Sequence, residues 1–206
     1  MCFYMQMKDP KVQLEKRFKA KVPDGASLPQ SDIFNGFEHP KVALIIDTAP
    51  DIIQCDFSWG LLPYWAKDEQ FRKNTLNARV ESVDEKPSFK DVLTQRCLIP
   101  ANAFYDWHWK DEKGKEKERY IIYGPDELFA FAGLYSYWTH PETGLKTGTF
   151  TLLTTAANAT MRFIHNTKQR MPIVLKKEDE MRWLQHEIAP QQLAFPYEVP
   201  LLAFAG

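Results

Sequence analysis

Apolar positions along this chain gather into short runs rich in β-branched and aromatic residues, separated by polar stretches that carry glycine and proline. Such runs predict strands at 42–47, 52–59, 104–109, 118–123, 128–138 and 149–155. Helical patterning is confined to shorter pieces. Asp9-Pro10 starts a helix to about residue 20, with Asp9 as N-cap, Pro10 in the first position and a basic exposed side. Residues 87–95 and 158–164 read as short helices, and 176–185 as an amphipathic one. Strands dominate, and the helices are scattered among them rather than alternating with them. The pattern predicts an α+β fold: one β-rich domain over residues 1–206, with a curved sheet or open barrel and a few peripheral short helices. Residues 60–68 form an aromatic-rich loop, and the charged run 110–118 (KDEKGKEKE) reads as a solvated hairpin end rather than a binding patch.

Composition narrows the function classes. A hydrophobic fraction of 44% and an aromatic fraction of 14% suffice for a sizeable core, and the aromatics favour strands. The net charge of −1 argues against bulk electrostatic attachment to nucleic acid, while leaving room for a local basic groove. The N-terminus has no basic region followed by an apolar run, and no apolar stretch approaches the roughly 20 residues of a membrane helix. Cys2, Cys55 and Cys97 show no CxxC spacing, so a reducing cytosol is the expected compartment. His39, His108, His140 and His186 lack ligand spacing, and neither a metal nor a cofactor is expected.

Chemistry enters at the N-terminus. Removal of Met1 would leave Cys2 with a free α-amine beside its thiol, a 1,2-aminothiol. The amine condenses with an aldehyde, and the thiol closes the imine into a thiazolidine ring. Four further segments carry polar or flat groups. Trp59, Tyr64 and Trp65 suit either core packing or the stacking of a base. Asn77 and Arg79 offer an amide and a phosphate or carboxylate partner. Asp106 interrupts an aromatic strand, either as a buried carboxyl with raised pKa or as a hydrogen-bonded surface group. His165, in the polar segment that ends at Arg170, is either a proton shuttle or a structural histidine.

Taken in order behind Met1-Cys2, these segments resemble the SRAP family, the SOS response-associated peptidase-like proteins. The resemblance runs from Cys2 to about Val174. It rests on WGL-P-WA at 59–66, NAR-E at 77–81, P-SF at 87–89, R-CLIPA--FY-W at 96–107, FAFAGLY at 129–135, TT-AN at 154–158 and IH---RMP at 164–172. It implies a single-domain protein that binds single-stranded DNA and traps abasic sites as a thiazolidine crosslink. Cys2 then matches the nucleophile, Asn77 a group near the reacting sugar, and His165 the proton-transfer histidine. Arg79 and Arg170 would contact DNA, and Tyr64 and Trp65, with Trp59, would stack on it. A monomer acting in the cytoplasm, at the bacterial nucleoid, is implied.

Three departures stand out. Phe3-Tyr4 replaces the family's Gly-Arg after the cysteine, which removes a phosphate-binding Arg at residue 4. Asp106 stands where the family has Glu, so its carboxyl reaches less far, and crosslink reversal is the step expected to suffer first. Residues 190–206 show no counterpart of the family's closing segment. Two other readings stay open. One is an N-terminal-nucleophile cysteine peptidase limited to self-removal of Met1, with Cys2, His165 and Asp106 as nucleophile, base and orienter. The other is a non-catalytic single-strand DNA binding module.

Overall fold

A computed structural model describes residues 2–206; Met1, whose removal the aminothiol chemistry requires, lies outside the described residues. The elements in chain order begin with β1 (Tyr4–Met7), α1 (Lys11–Phe18), β2 (Ser31–Asn35), β3 (Lys41–Ile46) and β4 (Ala49–Trp59). They continue with β5 (Asn77–Arg79), β6 (Arg96–Ala101), β7 (Ala103–Trp109), β8 (Lys117–Tyr123), β9 (Phe129–Thr139) and β10 (Lys146–Ala156). The last are α2 (Ala159–Ile164), β11 (Arg170–Pro172), α3 (Glu180–Leu184) and β12 (Leu202–Ala205).

Strands β10, β4, β3, β6 and β9 pair in that order, and β9 pairs back onto β10, which closes them into a ring. Closure depends on the length of β10. Its first half pairs with β9 on one edge and with β4 on the other. Its second half pairs with β11 and, in parallel, with β5. The second sheet has the order β12-β8-β7-β1-β2. The architecture is therefore the expected β-rich α+β class, with the barrel closed.

The chain passes from ring to second sheet at Asn102, between β6 and β7. Asn102 accepts from the Lys8 N–H at 2.8 Å and donates to the Glu127 carbonyl at 3.0 Å, which ties the corner down. Every residue of β6 is buried, as is every residue of β9 from Phe129 to Ser136. Such two-sided burial explains why these strands read as continuous apolar runs rather than alternating ones.

Several expected boundaries shift. The first helix spans only Lys11–Phe18; Pro10 rather than Asp9 occupies the cap, without a side-chain cap bond, and Lys19 ends it in the left-handed region at φ 53°. The helix expected at 87–95 is a 3-10 turn at Lys90–Val92. The one at 176–185 divides into a 3-10 turn at Lys177–Asp179 and the short α3. Within residues 190–206, β12 extends the second sheet by pairing with β8.

Candidate functional site

Strand β1 lies between β7 and β2, with Tyr4 opposite both Tyr105 and Asn35. This pairing carries Cys2 to the edge of the second sheet, next to Asp106 on β7. Cys2 is fully buried, and its thiol donates weakly to the Tyr4 carbonyl at 3.5 Å. Burial, then the nearby Asp106 charge, push that thiol up to about 12. From the other side, the Asn77 amide Nδ2 donates to the Cys2 carbonyl at 2.9 Å. The Oδ1 of the same amide is buried without a hydrogen-bond partner among the described residues. Asn77 and Arg79 are two apart on β5 and so share a face, where Arg79 is exposed.

Asp106 is 5% exposed, and its Oδ1 accepts from the Trp107 N–H at 2.9 Å. Burial raises its carboxyl to about 6, within reach of neutral pH. His165 caps the C-terminus of α2 and is 8% exposed. Burial lowers its imidazole to about 4, and the Lys168 and Arg170 charges push the same way. The ring is thus neutral at pH 7. Its Nδ1 accepts from the Arg170 N–H at 3.1 Å, which leaves the proton on Nε2 as a donor.

Two contacts stitch α2 to β7 and so fix His165 relative to Asp106. The His108 imidazole Nδ1 lies 2.7 Å from the Phe163 carbonyl, with the two rings stacked at 4.6 Å. Asn166 closes a pair of bonds with Trp109: it accepts from the Trp109 N–H at 3.1 Å and donates to the Trp109 carbonyl at 2.9 Å. Asp106 and His165 then line one cavity of about 500 Å³, together with Phe3, Tyr4, Phe37, Trp107, Trp109, Lys117, Thr167 and Lys168.

Two residues expected at the DNA are buried in the fold. Trp59 is fully buried, stacks on Phe150 at 5.9 Å and donates its indole N–H to the Leu76 carbonyl at 2.8 Å. It is a core residue whose faces are unavailable to a base. The next residue, Gly60, adopts φ +109°, and a Cβ there would meet the Arg72 Cβ at 2.8 Å, so the WG pair is a packing device. Arg170 is also buried. Its guanidinium makes two 2.8 Å bonds to Glu81 and one of 2.7 Å to the Thr154 carbonyl. Burial opposes ionisation of Glu81, but the Arg170 bonds outweigh it and hold the carboxyl below its usual range. Arg170 therefore anchors the His165 turn to the end of β5 and is not free to meet a phosphate.

Tyr64 and Trp65 are exposed, at 72% and 40%. They do not line the Asp106 cavity; Trp65 borders a separate one of about 390 Å³ with Lys67 and Lys73. Conversely, Phe37, Trp109, Lys117 and Lys168 line the main cavity and escaped the sequence reading. The Trp107-His108-Trp109 alternation was the available signal for Trp109, since it places both indoles on one face of β7. Among the described residues no group of three or more His, Cys, Asp or Glu is arranged to hold a metal ion. No helix is long and apolar enough to cross a membrane.

The family model for SOS response associated peptidase (SRAP) matches residues 1–202. A Bacillus subtilis protein named abasic site processing protein YoqW is 44% identical over 145 residues, or 68% of this chain and 62% of the relative. The chicken (Gallus gallus) abasic site processing protein HMCES is 30% identical over 164 residues, covering 68% of this chain and 47% of that protein. The chain thus spans about three fifths of the bacterial relative and about half of the avian one. A crystal structure of a Bacteroides thetaiotaomicron protein superposes with a TM-score of 0.86 at 30% identity, covering 99% of this chain and 91% of that one. A Bordetella bronchiseptica structure shares the fold with a TM-score of 0.79 at 22% identity, covering 100% and 99%.

Proposed function

This chain belongs to the SOS response associated peptidase (SRAP) family, and from that premise we propose that it processes abasic sites by covalent capture through Cys2. The observation that carries this reading is the placement of Cys2. Its carbonyl is held by Asn77, its thiol lies within electrostatic reach of Asp106, and Asp106 shares a cavity with His165. The relatives named for abasic-site processing support the same choice of substrate.

After Met1 is removed, the Cys2 amine adds to the C1′ aldehyde of the ring-opened abasic sugar to give a carbinolamine. Loss of one water gives the imine. The Cys2 thiol then adds across the C=N bond, and its proton moves to nitrogen, which yields a thiazolidine with one water released overall. Asp106, with its carboxyl near 6, exchanges protons near neutral pH. Neutral His165 presents Nε2–H as a donor to the sugar hydroxyl or the departing water. Freeing the α-amine also puts a positive charge on Cys2 itself, which draws its thiol down from the high value set by burial and Asp106. Arg79, Tyr64 and Trp65 serve the flanking single strand from outside the cavity. In this reading the chain acts as a monomer on single-stranded DNA.

A peptidase reading calls for a thiolate–imidazolium pair, which requires the thiol to titrate below the imidazole. Burial drives the two in opposite directions, Cys2 up and His165 down, and so disfavours that pair at rest.

Intact mass after incubation with an abasic single-stranded oligonucleotide tests the proposal. Processed wild type should gain the oligonucleotide mass less one water, and Cys2→Ala should gain nothing. Salt-sensitive binding of the oligonucleotide by wild type without any covalent product would select a non-catalytic binding module instead.

A further inference from the structure

The charged hairpin between β7 and β8 is largely exposed, as expected, but its turn is ordered and it borders the cavity through Lys117. The Asp111 carboxylate gathers the turn by accepting from the N–H groups of Lys113 at 2.8 Å, Lys115 at 3.2 Å and Glu116 at 2.5 Å. Gly114, at φ +63°, presses against the Trp109 indole so closely that an added Cβ would meet ring carbons at 2.5–2.7 Å. Lys117 pairs opposite Trp109 in the β7–β8 ladder, and its Nζ sits 4.5 Å from the indole centroid. Lys168 approaches the same cavity from the turn that follows His165.

Charge distribution gives these two lysines a purpose. Lys110, one residue past Trp109, is consumed by Glu118 at 3.1 Å. Among the described residues neither Lys117 nor Lys168 has a carboxylate within ion-pair distance. Asp106 is the only acidic residue among those lining the cavity, and it is buried. Tyr4, also in the lining, is turned edge-on to Trp107 at 4.8 Å and carries no positive charge. The cavity therefore offers two uncommitted ammonium groups on separate elements, one of them held over an aromatic ring.

We propose that Lys117 and Lys168 clamp the backbone phosphates flanking the captured sugar, with Trp109 and the folded hairpin holding Lys117 in place. This rests on the abasic-site reading above and adds to it the groups that bind the substrate's charge. Lys117 and Lys168 position the substrate; they are not catalytic.

The test uses Lys117→Met, Lys168→Met and the double variant on the processed full chain. Rates of adduct formation are followed against salt with an abasic oligonucleotide, and separately with free 2-deoxyribose, an aldehyde source without phosphate. Each phosphate contact on a single strand contributes about 0.7 to the salt slope, so the double variant should lose about 1.4 of it. Its oligonucleotide rate at low salt should fall about tenfold or more, while the 2-deoxyribose rate stays at the wild-type value. Lys→Arg at both positions should restore the slope. An oligonucleotide with neutral methylphosphonates flanking the lesion should slow wild type and leave the double variant unchanged. An unaltered slope in the double variant, with wild type forming adduct, overturns the lysine assignment alone. Failure of wild type to react with either aldehyde overturns the abasic-site reading, and this inference with it. Gly114→Ala, which disturbs the hairpin and keeps both charges, should reduce the oligonucleotide rate and spare the 2-deoxyribose rate; equal loss of both would also count against the clamp.

Discussion

The Asn77 side chain spans from the closed ring of strands to the N-terminal residue of the reaction: its Nδ2 donates to the Cys2 carbonyl at 2.9 Å. Sequence resemblance placed Asn77 near the sugar, and the structure adds a backbone hold on Cys2. Asn77→Ala removes that hold. The expected loss of stability is modest, about 1 kcal/mol for one hydrogen bond. Adduct formation should slow far more, by about tenfold to a hundredfold, because a small misplacement of a reacting group is costly. Paired melting and single-turnover measurements check this; equal rates in wild type and variant would show that Cys2 needs no such hold.

Asp106 and His165 give opposite pH dependences of stability. The Asp106 carboxyl is near 6 in the folded chain against about 3.8 as its ordinary value, so the folded state binds more protons between these limits. Stability from this group is complete below the lower limit and is lost as pH rises through about 6. The His165 imidazole is near 4 against 6.5, so its stability is complete above 6.5 and lost as pH falls towards 4. Asp106→Asn should therefore stabilise the fold at pH 7–8, by on the order of 3 kcal/mol at most, and so raise its melting temperature there, with little effect at about pH 4. The same substitution should remove the limb of the adduct-rate profile near pH 6. A lower melting temperature at pH 7 would contradict the buried-carboxyl account.

Arg170 and Arg79 are separated by a comparison that the sequence alone would not suggest. Arg170→Met strands the partly buried Glu81 and should destabilise the fold by about 2–4 kcal/mol. The salt slope of single-strand binding should not change. Arg79→Met should leave stability within about 0.5 kcal/mol and reduce the slope by about 0.7, one phosphate contact. Urea melts and salt titrations of binding read both effects; the reverse pattern would mean that the two arginines have exchanged roles.

Tyr64 and Trp65 are exposed and Trp59 is buried, so alanine at each should act on a different quantity. Tyr64→Ala and Trp65→Ala should weaken binding of an unmodified single strand by about 1–3 kcal/mol each, with near-normal melting. Trp59→Ala should cost about 3–5 kcal/mol of stability. Fluorescence anisotropy and thermal melts distinguish the two cases, and full binding affinity in the Tyr64→Ala, Trp65→Ala double variant would remove the loop from the interface.

The long apolar strands were legible because burial on both faces writes itself into composition, as in Phe129–Thr139. The short strands were not. Tyr4–Met7 has little β-branched content, Ser31–Asn35 is polar, and Arg96–Ala101 carries Pro100, which argues against an interior strand. Their pairing is imposed by neighbours distant in sequence. The same holds at the site. Cys2, Asn77, Asp106 and His165 could be singled out from ordered motifs. Burial of Arg170, by contrast, depends on Glu81, which lies 89 residues away. Lys117 was hidden in a charge run whose usual fate is solvent; it stays exposed, and only its pairing across from Trp109 sets its ammonium over that ring at the cavity rim.

The central claim, that the Cys2 amine and thiol act together, is tested most directly by Cys2→Ser, which keeps the amine and replaces sulfur with a hydroxyl that closes a far less stable ring. Processed wild type and variant are incubated with an abasic oligonucleotide, with and without borohydride, and resolved under denaturing conditions. Wild type should give a stable adduct without reductant, and Cys2→Ser should give one only when borohydride traps the imine. An unreduced adduct equally stable in Cys2→Ser would contradict the thiazolidine account.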